Sequence, residues 1–122
     1  MFGFGKKKAA EQKASEFLSY TLQIIGSKTG LDPLRLEQDL SDEILLSALR
    51  ETGSMDNKYD FCANYMIAFL MVLVGFSKND KSWTDRGNKV LFAAIDYTES
   101  HKHKMSEDAY NHCLIAFDSF SG

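Results

Sequence analysis

Three histidines stand close together late in the chain: His101, His103 and His112. Neutral imidazole is a common ligand for divalent metals, so metal chemistry is the first question they raise. Glu99, Asp108 and Cys113 lie nearby. Glu99 precedes His103 by four residues and Asp108 precedes His112 by four, which puts each pair on one helix face. A metal site in a helical bundle needs inward ligands repeated on several helices, such as Glu-x-x-His pairs. No Glu-x-x-His occurs here. The histidines therefore read as a basic helix end followed by one surface residue, and neither a metal nor a cofactor is expected.

Covalent catalysis needs a nucleophile, a base and a group that orients the base. Cys113 follows His112 directly. Neighbours on a helix point about 100° apart, so sequence adjacency argues against contact. No Gly-x-Ser-x-Gly elbow exists, and Gly3-Phe4-Gly5-Lys6 lacks the spacing of a phosphate loop. Catalysis is not expected.

Two charged stretches are candidates for binding. Glu37, Asp39, Asp42 and Glu43 fall within seven residues that contain no Lys or Arg. Such a patch suits a basic protein partner and would steer its approach. Helix capping by itself explains about half of these charges. Tyr59 and Asp60 are expected as anchors beside the patch, because tyrosine supplies rigid contact area at low entropy cost. The second stretch is the start of the chain, where Phe2 and Phe4 precede Lys6, Lys7 and Lys8. Lysines and aromatics suit an anionic membrane surface, but without a lipid chain they give only weak, reversible binding. A membrane is thus the runner-up partner, behind a protein.

The totals narrow the classes further. A chain of 122 residues with 44% hydrophobic and 25% charged residues makes one globular domain. A net charge of −3 argues against nucleic acid as a partner. The two cysteines, Cys62 and Cys113, sit among apolar residues, as buried thiols of a reducing cytoplasm do. The polar run from Ala9 to Lys13 does not resemble a signal-peptide core, so a cytoplasmic location is expected.

Helices must carry all of these groups. A single proline, Pro33, disfavours a turn-rich β fold. Ala10, Ala14, Phe17, Leu18, Leu22 and Ile25 form a stripe that predicts a helix from about Lys8 to Ser27, preceded by a flexible basic tail over residues 1–7. Gly26 and Gly30 mark its exit. Asp32-Pro33 starts a short helix over 33–37, and Ser41 caps another that ends near Thr52, with Leu40 and Leu45 at hydrophobic-staple spacing. From about 56 to 76 a helix is apolar nearly all round, with Asn64 the strongly polar exception after Phe61. Its apolar run is shorter than the ~20 residues of a membrane span, so it belongs at the centre of a bundle. Aromatics near it, such as Tyr65 and Phe69, read as core. Trp83, Val90, Leu91, Ala94 and Ile95, widened by Phe92 and Tyr97, predict a helix over 82–102. Ser106, Glu107 and Asp108 start the last one, with Ala109, Tyr110, Cys113, Ala116, Phe117 and Phe120 inward.

The expected fold is an all-α, compact single-domain bundle of about five helices over residues 8–122, with the 56–76 helix at its centre. The expected function is a non-catalytic protein-interaction module, an inhibitor, an immunity-type protein or an adaptor; the alternatives are a peripheral membrane or assembly factor using the basic-aromatic start, and a small metal-binding protein or enzyme using the histidines. Homodimerisation through a helix face is compatible with the first. If the acidic stretch is the contact, Lys at Glu37, Asp39 and Glu43 should leave the fold intact, at about 0.3–1 kcal/mol per helix-start charge. Association with a basic partner should slow sharply at low salt and recover towards wild-type rates near ~1 M, where screening is nearly complete. A salt series of association rates checks this.

Overall fold

The structure, a computed structural model, describes the backbone of residues 2–39 and 57–121 and the side chains of 12–38 and 57–120. These residues form five α-helices: α1 (Phe2–Thr29), α2 (Pro33–Asp39), α3 (Lys58–Phe76), α4 (Lys81–His101) and α5 (Glu107–Ser121). A 3-10 turn, Lys102–Lys104, joins α4 to α5. The expected helix from Ser41 to Thr52 lies outside the described residues.

The centre is α3. Asn57 caps it, its side chain accepting from the Tyr59 and Asp60 N–H groups. From Asp60 to Leu73 most of its side chains are buried. It touches α1, α4 and α5. By length and composition alone this helix qualifies as a membrane span, but 67% of its apolar window is buried inside the bundle. That burial is the mark of a core helix.

Contacts fix the directions of the helices around it. Tyr65 donates to the Ala14 carbonyl at 3.1 Å, and Phe17 stacks on Phe61, so α1 and α3 run oppositely. Trp83 meets Phe76 and His101 meets Tyr59, so α4 returns antiparallel. On α4, Gly87 is buried 3.8 Å from the Leu73 Cβ, measured from where its own Cβ would stand.

Three boundaries differ from expectation for local reasons. Helix α1 begins at Phe2 rather than Lys8: the apolar stripe marks where packing starts, while Lys6 to Ala10 are good helix formers that extend the helix before it, and the residue types of Phe2 to Gly5 do not account for the first turn. It also runs past Gly26 to Thr29. Gly26 is not its end but the point where Pro33 packs closest, since a Cβ there would stand 2.8 Å from the Pro33 Cγ. Gly30 is the terminator, with φ of 73°. On α4 the stripe is narrower than expected. Tyr97 is buried, but Phe92 is 70% exposed.

The consequence is a sharp asymmetry between two phenylalanines. Phe69 is 1% exposed, so Phe69→Asp should prevent folding, because a buried charge there has nothing to solvate it. Phe92→Asp should change stability by no more than about 0.5 kcal/mol. Circular dichroism and denaturant titration of both variants distinguish the two sites.

Candidate functional site

The acidic stretch is described only at its start. Glu37 is exposed on α2, and Asp39 ends that helix. Asp42 and Glu43 lie outside the described residues. The two expected anchors part company. Tyr59 is half-buried and reaches the surface, whereas Asp60 is withdrawn, 3% exposed. An Asp60 carboxylate oxygen accepts from the Ser106 N–H at 3.1 Å, tying the start of α3 to the start of α5. Asp60 therefore holds two helices together and offers no contact area to a partner. Ser106 completes the joint by accepting from the Ala109 N–H at 3.2 Å.

The histidines do not converge. His101 Nδ1 lies 2.9 Å from the Tyr97 carbonyl, and its ring sits against Tyr97 and Tyr59, with centroids 4.3 and 5.2 Å away. Glu99 accepts from the Tyr110 hydroxyl and pairs with Lys102. Among the described residues no three His, Cys, Asp or Glu side chains gather as a metal site would require.

What the packing does gather is a row of lysines on rings. Lys13 lies over Phe61 and Phe17, at 5.5 and 5.9 Å from the centroids, and these two rings stack at 4.6 Å. One turn further along α1, Tyr20 lies 5.8 Å below Lys58, which also covers Tyr59 at 5.2 Å. Lys104 covers Tyr59 as well, at 5.3 Å. The contacts form two groups, one around Phe17 and Phe61 and one around Tyr20 and Tyr59, which adjoin as a strip because Phe17 and Tyr20 stand one turn apart on α1. No carboxylate among the described residues pairs with Lys13, Lys58 or Lys104. The exposed Glu16 is on the same helix as Lys13. The α1 half of the strip was present in the sequence as Lys13, Phe17 and Tyr20, at steps of four and three. Lys58 and Lys104 join only through tertiary packing.

Two further features carry less. A cavity of about 210 Å³ lies between α3, α4 and Phe120, walled by Leu70, Leu73, Trp83 and Leu91. The hydroxyls at its edge, Ser77 and Thr84, already donate to backbone carbonyls. The thiols are buried and free. Cys62 lies against the hydroxyls of Thr21 and Tyr97, and burial pushes its pKa up. Cys113 lies against Thr98, and burial raises it to about 11. A thiol held protonated is a poor nucleophile.

This burial sets a pH dependence. Burial pushes the Cys113 thiol from its ordinary value of 9.0 up to about 11. Tyr65 moves from 10.0 to about 12, again mainly through desolvation. In both cases the unfolded chain loses its proton first. The stabilisation is complete below pH 9 and is lost as pH rises through the folded values. Thermal melts should therefore be level to about pH 9 and fall steadily above it, and Cys113→Ala should flatten the first part of the fall. A melting temperature unchanged up to pH 11 would contradict the buried placement.

Compared with family models, with curated proteins and with solved structures, the chain matches none of them.

Proposed function

We propose that the protein is a non-catalytic helical docking module that holds an anionic partner through the strip from Lys13 to Lys104. The observation that carries this reading is the set of three exposed lysines held over aromatic rings, with no carboxylate partner among the described residues. Among the described residues Lys28 pairs with Asp96 and Lys102 with Glu99, and what sets the strip apart is the aromatic ring beneath each of its lysines. A cation–π contact at an exposed site contributes only about 0.5–1 kcal/mol and leaves the charge in place. The lysines are thus ordered yet still available to an anion. Tyr59 is the natural centre of such a surface, since two lysines and His101 surround its ring. The sign is opposite to the one that the acidic stretch suggests: the partner is anionic rather than basic.

The test is capture from a lysate that retains its membranes, using immobilised wild type and the variant Lys13→Glu/Lys58→Glu/Lys104→Glu. Wild type should hold material that elutes with salt and that the variant fails to hold. Identical captured sets would remove the strip from the function.

A further inference from the structure

We infer that the anionic partner is a lipid bilayer bearing negatively charged headgroups, with the strip lying against its surface. The inference rests on the docking reading above and names the partner. Three features favour lipid over an acidic protein.

First, every cation in the strip is a lysine. The ammonium is a compact point charge without arginine's planar fork, so it suits a field of headgroups better than one carboxylate in fixed geometry. Second, the rings beneath are Phe17, Tyr20, Tyr59 and Phe61. Tyr20 is exposed and Tyr59 half-buried. Tyrosine, with an apolar ring and a polar tip, is enriched at the depth of the headgroups. Third, the charge continues along the same element. Helix α1 runs unbroken to Phe2, and Lys6, Lys7 and Lys8 fall within its first two turns, upstream of Lys13. The sequence thus adds three lysines to the helix that carries Lys13, and lysine-rich helices suit anionic lipid surfaces. The one carboxylate in the first turn of α3, Asp60, is turned inward, so it does not oppose the approach.

Co-sedimentation with vesicles tests this. Wild type should pellet with phosphatidylcholine vesicles that contain phosphatidylserine, stay in solution with phosphatidylcholine alone, and be released by added salt. Lys13→Gln/Lys58→Gln/Lys104→Gln should lower the partition coefficient by about a hundredfold, at roughly fivefold per lysine. Lys78→Gln/Lys81→Gln/Lys89→Gln makes the same charge change on the α3–α4 turn and the first half of α4 and should partition like wild type. Circular dichroism establishes that both variants fold. If the strip variant does not, Lys104→Gln alone should show the fivefold loss. The lipid inference is overturned if wild type stays in solution with phosphatidylserine, or binds phosphatidylcholine alone equally well. It is also overturned if the two triple variants lose binding equally, since net charge rather than the strip would then be responsible. If vesicles fail but lysate capture still depends on the strip lysines, the docking reading stands with an acidic protein as partner. If both fail, both are wrong.

Discussion

A helix of nineteen residues with apolar side chains on nearly every face cannot stand in water. Each buried Leu, Phe or Met side chain is worth about 1.5–3 kcal/mol once covered, and α3 holds several of them. Covering such a helix takes more than one neighbour, and α1, α4 and α5 each take a side. The remaining choices follow from that demand. Gly26 lets Pro33 bring α2 down onto α1. Cys62, between Thr21 and Tyr97, fills a layer where α1, α3 and α4 meet. A thiol suits such a place because it packs as a small apolar group and tolerates hydroxyls beside it.

The same demand shapes the surface at the start of α3. A helix start leaves free N–H groups that need acceptors, and its dipole favours negative charge. Asn57 meets the first need. Asp60 meets the second, and its remaining capacity goes to Ser106 at the start of α5. With that carboxylate committed inside, it does not compete for the lysines beside it, while the exposed acids at this end, Glu99, Glu107 and Asp108, stand on α4 and α5. Lys58 leaves the start of α3, and Lys104 leaves the turn after α4. The half-buried ring of Tyr59 is the surface on which both settle. The Tyr59 end of the lysine strip thus forms beside the joint where one buried acid serves two helix starts.

Much of this fold was legible in the sequence because its signals are local. Asp32-Pro33 started a helix as expected, with the Asp32 side chain accepting from the Leu34 N–H. The 56–76 run became the centre, and Ser106 caps the last helix. The start of α1 was misplaced because a stripe reports burial, and the lysines and alanines of 6–10 continue a helix without it. Phe92 was placed inward because it borders a stripe, yet a helix packed by a narrow face leaves its flank in solvent. The site was harder to read. Tyr59 and Asp60 are adjacent, and nothing local says that one faces out while the other bridges to α5. Lys13, Lys58 and Lys104 are separated by more than forty residues at each step. Only antiparallel packing of α1 on α3, and the return of α4, brings them onto one surface.

The magnitudes say what kind of binding such a surface can support. Each lysine near an anionic surface contributes about 1 kcal/mol, and the contribution fades within a Debye length, about 8 Å at physiological salt. The three strip lysines alone amount to a weak attraction. What the fold adds is arrangement. A free lysine side chain loses rotamer entropy when it is held in place, at a cost of up to about 2 kcal/mol. Lysines already resting on Phe61 and Tyr59 have given up part of that freedom on folding, so less is lost on contact. A rigid bundle also presents the three charges together, with spacing set by helix packing rather than by chance. Attraction of this size gives reversible attachment that salt or a change of surface charge can release. A module held in this way samples an anionic surface and leaves it, which a helix committed to spanning the bilayer does not do.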